Sequence, residues 1–262
     1  MPSPPEPVTS TLMARGVRGF TKGTLAVGGI LAAQILHAAH RPDLPSYTDQ
    51  ALDGVFGEPG AAPLRIVFAG DSTVTAPGVE PIDDTWPRRV ARHLARERHV
   101  ELIVTAVGGS KARDVLEDQM PTVLGSEPDI VVLSVGGNDA LRGTPIRRFE
   151  AHYDELVGNI AAAAPLIACG VGDLGTIPRL PALAQGVARV RGRSVDRAIA
   201  RIVARHRGVL KTNAWGPRWA PFETDLSVWA GDLFHASGAG HALYADETIP
   251  LVERLLNGHG RP

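Results

Sequence analysis

Leu64-Arg65-Ile66-Val67-Phe68-Ala69-Gly70-Asp71-Ser72-Thr73 is the stretch whose reading decides the fold. Its first six residues form an apolar run interrupted only by Arg65, the mark of a short, mostly buried strand. The run stops at Gly70-Asp71-Ser72. A strand that ends on a glycine-opened turn sets the next serine hydroxyl at the rim of a sheet. In open α/β sheets the carboxyl ends of the strands are where ligands bind. Taken alone, Asp71 and Ser72 serve equally well as a helix cap or a turn.

Outward from this strand, strand-like and helix-period segments alternate. Further strands are expected at Val100–Ala106, Asp129–Val135, Pro165–Cys169 and Val209–Thr212. Helices are expected at Trp86–Ala95, Ala112–Leu124, Pro145–Ala163 and Gly186–Arg207, with a last one inside His235–Leu256. The third strand is apolar on both faces, which suits a parallel sheet covered on both sides. The alternation predicts an α/β protein: a three-layer α/β/α sandwich on a mostly parallel five-stranded sheet. Residues 64–258 read as this domain, and residues 41–63, rich in Pro and Gly, as a linker into it.

Residues 1–12 are Pro- and Ser-rich and read as disordered. Arg15, Arg18 and Lys22 then precede an apolar segment from Leu25 to Leu36. A basic head before an apolar run resembles a signal sequence or an anchor, and an amphipathic helix packed on the domain fits as well. The run falls short of the roughly 20 residues that a bilayer requires. Membrane association through residues 24–40 implies a cell-envelope or membrane location; without it the reading is cytoplasmic. The 262 residues carry a formal net charge of −1, which speaks against a general nucleic-acid binder. The arginines between Arg189 and Arg207 read as the solvated face of an amphipathic helix whose apolar stripe is Val187, Val190, Ile199, Ile202 and Val203. The single cysteine, Cys169, lies in an apolar run and reads as a buried packing residue.

Three more segments fall where the alternation puts a sheet edge or a loop beside it: Gly108-Gly109-Ser110, Gly136-Gly137-Asn138-Asp139 and Asp232-Leu233-Phe234-His235. Hydrolysis of an ester needs a nucleophile, and a serine hydroxyl is a poor one without a base. Histidine serves as that base because its ordinary pKa lies near neutrality. It needs a partner to fix its tautomer and to stabilise the imidazolium. The tetrahedral oxyanion needs donors aimed at it. Ser72 is the candidate nucleophile, His235 the base and Asp232 the orienting carboxylate. The backbone N–H groups of Ser72 and Gly109 and the amide of Asn138 are the candidate oxyanion donors. Asp139 reads as a structural hydrogen-bonder.

These four segments resemble the four sequence blocks of the SGNH (GDSL) hydrolase family, in the family's order, and the resemblance runs from about Leu64 to Leu256. The segment from Gly136 to Gly143 is similar to the thioesterase/lysophospholipase branch. The resemblance implies a flavodoxin-like α/β/α fold, no metal and no cofactor, and the roles given above. It implies cleavage of a small-molecule carboxylic ester or thioester through an acyl-enzyme. Thr73 stands where the family often has Leu, and Ala106 lies where an Asn is common. An acyltransferase acting on a sugar or lipid hydroxyl would use the same triad. A membrane-tethered binding protein that kept the fold without the chemistry is the non-enzymatic alternative.

Gly170-Val171-Gly172-Asp173-Leu174-Gly175 matches a dinucleotide fingerprint, but Pro178 and Pro181 follow too soon for the helix that a cofactor site requires. A flexible active-site loop is the better reading. Asp71, Asn138, His235 and His241 could be drawn as a phosphoesterase metal set, yet the Asp-x-His and His-x-His pairs of such sites are absent. Trp215, Trp219, Phe222 and Trp229 cluster ahead of Asp232. They read either as the lining of an acyl or sugar pocket or as a satellite packing cluster.

Overall fold

A strand can bury every side chain only when both of its faces are covered. Residues Ile66 to Gly70 of β2 (Ala62–Gly70) and all of β4 (Ile130–Ser134) are buried in this way in the computed structural model, which describes residues 44–47 and 51–258. The two strands pair in parallel at the centre of the sheet, with Gly70 opposite Ser134. β3 (Arg98–Val104) lies parallel to β2 on its other side; β5 (Leu166–Ala168) and β6 (Val209–Lys211) continue beyond β4. With β1 at Gly54–Phe56, the strand order is β1-β3-β2-β4-β5-β6. Without β1 this is a doubly wound order, and its topological switch falls between β2 and β4.

The sheet has six strands where five are expected from sequence. The addition is β1 (Gly54–Phe56), antiparallel to β3, inside the stretch whose composition reads as linker. It is held by contacts that composition does not reveal. Leu52 is 1% exposed, Phe56 packs against the core, and Asp53 Oδ1 accepts a 2.7 Å bond from the Val104 amide. A three-residue, half-exposed edge strand carries little periodicity to read. The expectations for residues 1–40, including the apolar segment 24–40, lie outside the described residues. None of the described helices is long and apolar enough to cross a membrane.

Alternation along β2 sends Val67 and Ala69 to one face and Ile66 and Phe68 to the other. On the first face α6 (Ile146–Ala163) and α7 (Ala182–Val203) contribute Phe149, Tyr153, Leu156, Val195 and Ile199. On the second, α2 (Trp86–Leu94) and α9 (Gly238–Leu256) contribute Trp86, Val90, Val252 and Leu255. The apolar stripe expected on α7 is only partly correct: Ile199 and Ile202 are buried, but Val187 and Val190 are exposed. The N-terminal half of α7 packs through Ala184, Ala188 and Gly192 instead. A Cβ on Gly192 would lie 3.0 Å from the Gly172 carbonyl, so small residues let the helix press on that loop.

The helix expected over 112–124 is divided into α3 (Ala112–Asp114), a π-helical turn Val115–Gln119 and α4 (Met120–Gly125). Gln119 at the end of the π turn is buried. Three short helices complete the set: α1 (Ser72–Thr75) after β2, α5 (Gly137–Leu141) after β4, and α8 (Pro221–Thr224) before the last turn.

Gly70 has φ +143°, and a Cβ there would sit 2.0 Å from the Ser134 carbonyl oxygen. Gly70→Ala should therefore lower stability by at least ~3 kcal/mol in urea unfolding. Gly60→Ala, with nothing within 4 Å of the added methyl, should leave stability nearly unchanged.

Candidate active site

The switch between β2 and β4 opens a crevice at their carboxyl ends, and the first two sequence blocks to meet there are Gly70-Asp71-Ser72 and Gly136-Gly137-Asn138. Asp71 is the N-cap of α1: its extended backbone ends the strand, and its Oδ1 accepts a 3.0 Å bond from the Thr73 amide. Ser72 is thus the first residue of a one-turn helix. Its amide is one of the donors that a helix start leaves unpaired, and it has no partner among the described residues. Ser72 Oγ likewise makes no hydrogen bond there, to His235 or to any other described group.

Asn138 lies in the first turn of α5. Its Nδ2 donates to the Ser110 carbonyl at 3.2 Å and to Asp71 Oδ2 at 3.4 Å. Gly109 has φ +81° and is half-buried at the turn beside them; its amide also has no partner among the described residues. Two residues that the sequence reading missed hold these loops. Gln119 makes two hydrogen bonds with the Gly70 backbone, accepting from N at 2.9 Å and donating to O at 2.8 Å, and reaches Ser110 Oγ at 3.3 Å. Arg191, assigned to a solvated face, turns inward and donates to the carbonyls of Ala140 and Thr144 at 2.7 and 2.6 Å. Asp139 accepts from the Ala112 amide at 2.9 Å, tying the third block to α3.

Asp232 and His235 form one turn, with Leu233 in the left-handed region at φ 57°. Asp232 Oδ1 accepts from the amides of Phe234 and His235, at 2.9 and 3.0 Å, while Oδ2 lies 2.6 Å from His235 Nδ1. Burial pushes the Asp232 carboxyl upward, but the bonds from His235 and Phe234 outweigh it and leave the pKa below the ordinary value. An ionised carboxylate only accepts, so Nδ1 carries a proton, and in the neutral ring Nε2 is the nitrogen with the lone pair.

Ser72, Asn138 and His235 line one cavity of about 470 Å³. Asp232 sits behind His235, and Gly109 stands outside the cavity wall. Trp215, Trp219 and Trp229 all line it, and Trp219 and Trp229 also pack with Phe222 and Tyr244. The segment Gly170–Thr176, read as a loop, supplies a further wall and is braced by an Asp173–Arg189 ion pair at 2.7 Å. His241, 1% exposed, forms part of the floor. Its Nδ1 accepts from the Trp86 amide at 3.0 Å, and burial pulls its pKa down to about 3, so the ring is neutral. Among the described residues no three His, Cys, Asp or Glu side chains are grouped to hold a metal ion.

The model of the GDSL-like lipase/acylhydrolase family matches residues 68–243. No curated protein matches the chain. Among solved structures, TesA superposes with a TM-score of 0.61 at 18% identity, covering 73% of this chain and 99% of that one. The psychrotrophic esterase EstA from Pseudoalteromonas sp., inhibited by monoethylphosphonate, gives 0.58 at 18%, covering 74% and 99%. A catalytic mutant of Axe2, an acetylxylan esterase from Geobacillus stearothermophilus, gives 0.58 at 18%, covering 72% and 94%. At these identities the likeness is one of fold.

Asp71 is 3% exposed, and burial pushes its carboxyl up to about 6 against bonds from Thr73 and Asn138 and the nearby His235. The folded chain therefore holds a proton there between about pH 4 and 6 that the unfolded chain has lost. Stability from this group is fully present below about pH 4 and falls as pH rises through 6, by up to about 3 kcal/mol. Urea unfolding of wild type and Asp71→Asn at pH 4 and pH 7 checks this. The two stabilities should diverge between those pH values by an amount of that order, with wild type losing more on the alkaline side.

Proposed function

The chain belongs to the GDSL-like lipase/acylhydrolase family, and on that footing we propose that it cleaves carboxylic esters through an acyl-enzyme on Ser72. The observation that carries the reading is the Asp232–His235 pair, 2.6 Å apart, whose imidazole lines the same cavity as Ser72. In this scheme Ser72 Oγ attacks the ester carbonyl as its proton passes to His235 Nε2. Asp232 stabilises the imidazolium without taking the proton. The oxyanion is met by the unpaired amides of Ser72 and Gly109 and by Asn138 Nδ2. His235 then protonates the departing alcohol. A water molecule, deprotonated by the same imidazole, attacks the acyl carbon and frees Ser72.

The contacts of Asn138 with Ser110 and Asp71 support this role. The Ser110 carbonyl orients the amide, and Asp71 Oδ2 holds the other hydrogen through the weaker 3.4 Å contact until an oxyanion replaces it. Preorganised donors of this kind cost no reorganisation when charge develops, and losing one typically raises a barrier by ~3 kcal/mol.

Ser72→Ala and His235→Ala should each lower kcat for a 4-nitrophenyl ester by more than about 10³-fold with unchanged circular dichroism. Asn138→Ala should lower it by roughly 10²–10³-fold, mostly in kcat rather than KM. A phosphonate of the kind that inhibits EstA should label Ser72 stoichiometrically, read by peptide mass. Full turnover by Ser72→Ala would refute the scheme.

A further inference from the structure

The hydrolase reading leaves open which esters enter. We infer that the cavity binds the apolar chain of a neutral ester and rejects anionic substrates, among them thioesters whose thiol carries phosphate groups; this rests on Ser72 acting at the cavity as described.

The charges of the wall are all of one sign. Asp71, Asp173, Glu223 and Glu247 line it, and among the described residues no lysine or arginine does. Asp173 is paired with Arg189 and Glu247 with Arg218, while Glu223 has no ion pair among the described residues. The nearby cations lie outside the wall: Arg193 is 4.2 Å over the Trp215 ring, and Arg179 is 5.7 Å over that of Phe234. An anion leaving water needs a partner of opposite charge, and this wall offers it a carboxylate.

The aromatic side of the wall gives the second argument. All four indole N–H groups of the wall are already engaged: Trp215 donates to the Val171 carbonyl, Trp219 to that of Asn213, Trp229 to that of Phe222, and Trp86 to Thr248 Oγ1. None is left for a substrate hydroxyl, so these side chains present carbon surface only. Leu141, Val171, Leu174 and Ile177 add aliphatic surface to the same cavity. Ser72, Asn138 and His235, where the ester itself would sit, line the same cavity. About 470 Å³ is within the range of pockets that enclose a drug-sized ligand and far exceeds what an acetyl group fills.

The test uses the full chain and two series of 4-nitrophenyl esters. Along acetate to decanoate, kcat/KM should rise about fourfold per added methylene until the cavity is filled. An ester whose chain ends in a free carboxylate should react at least tenfold more slowly than its uncharged counterpart of equal length. Glu223→Lys should narrow that gap several-fold. Ala220→Phe, at an exposed position of the wall, should move the chain-length optimum to shorter esters. A profile highest at acetate would overturn the inference. So would equal or faster turnover of the carboxylate-bearing ester or of a polyphosphate-bearing acyl thioester. No turnover of any ester, together with no phosphonate on Ser72, would instead overturn the hydrolase reading and the inference with it.

Discussion

The site depends on the closeness of two backbones. Where β2 meets β4, the Gly70 α-carbon is pressed so near the Ser134 carbonyl that no side chain fits between them. Gln119 holds Gly70 from the other side through both of its peptide groups' polar atoms, N and O. Only glycine tolerates both the φ and the approach. The strand therefore ends at one residue, Asp71 caps the turn that follows, and Ser72 emerges at the crevice beside the loop that carries Asn138. The π turn matters for the same reason: it brings Gln119 into the core at the register that this clamp needs.

The same arrangement concentrates buried polar groups where the chain can least solvate them. Asp71 and Asp139 both have carboxyl groups pushed up by burial, and Asp232 stays low only because three donors converge on it. His241 is kept neutral against the Trp86 amide. The crevice thus surrounds its carboxyl groups with fixed donors. Such an environment favours charge that appears only during a reaction over charge carried in by a substrate.

Much of this was legible in the amino-acid order. The runs at Ile66–Ala69 and Ile130–Leu133 announce buried central strands because burial on both faces demands uninterrupted apolar residues. The glycine-opened turns at Gly70, Gly109 and Gly136 are visible because few backbones make them. What was hidden depends on distant partners. Gln119 lies 49 residues from Gly70, and on paper it is one more polar residue in a helix. Arg191 is indistinguishable from its exposed neighbours until the carbonyls of Ala140 and Thr144 are placed next to it. The edge strand at Gly54–Phe56 is too short and too exposed to leave a pattern. The tryptophans were read as pocket or as packing, and they stand in both positions at once.

That double placement has a mechanical consequence. The rings of Trp219, Phe222 and Trp229 and the Asp232–His235 turn belong to one short length of chain, cross-linked by the Trp229–Ala236 bridge. The Asp232–His235 pair is built from residues three apart on that same length of chain, whereas Ser72 opens a helix just beyond the end of β2. The covering of the aromatic recess and the placement of the imidazole are thus set by one short length of chain, so that a side chain which repacks the one bears on the other.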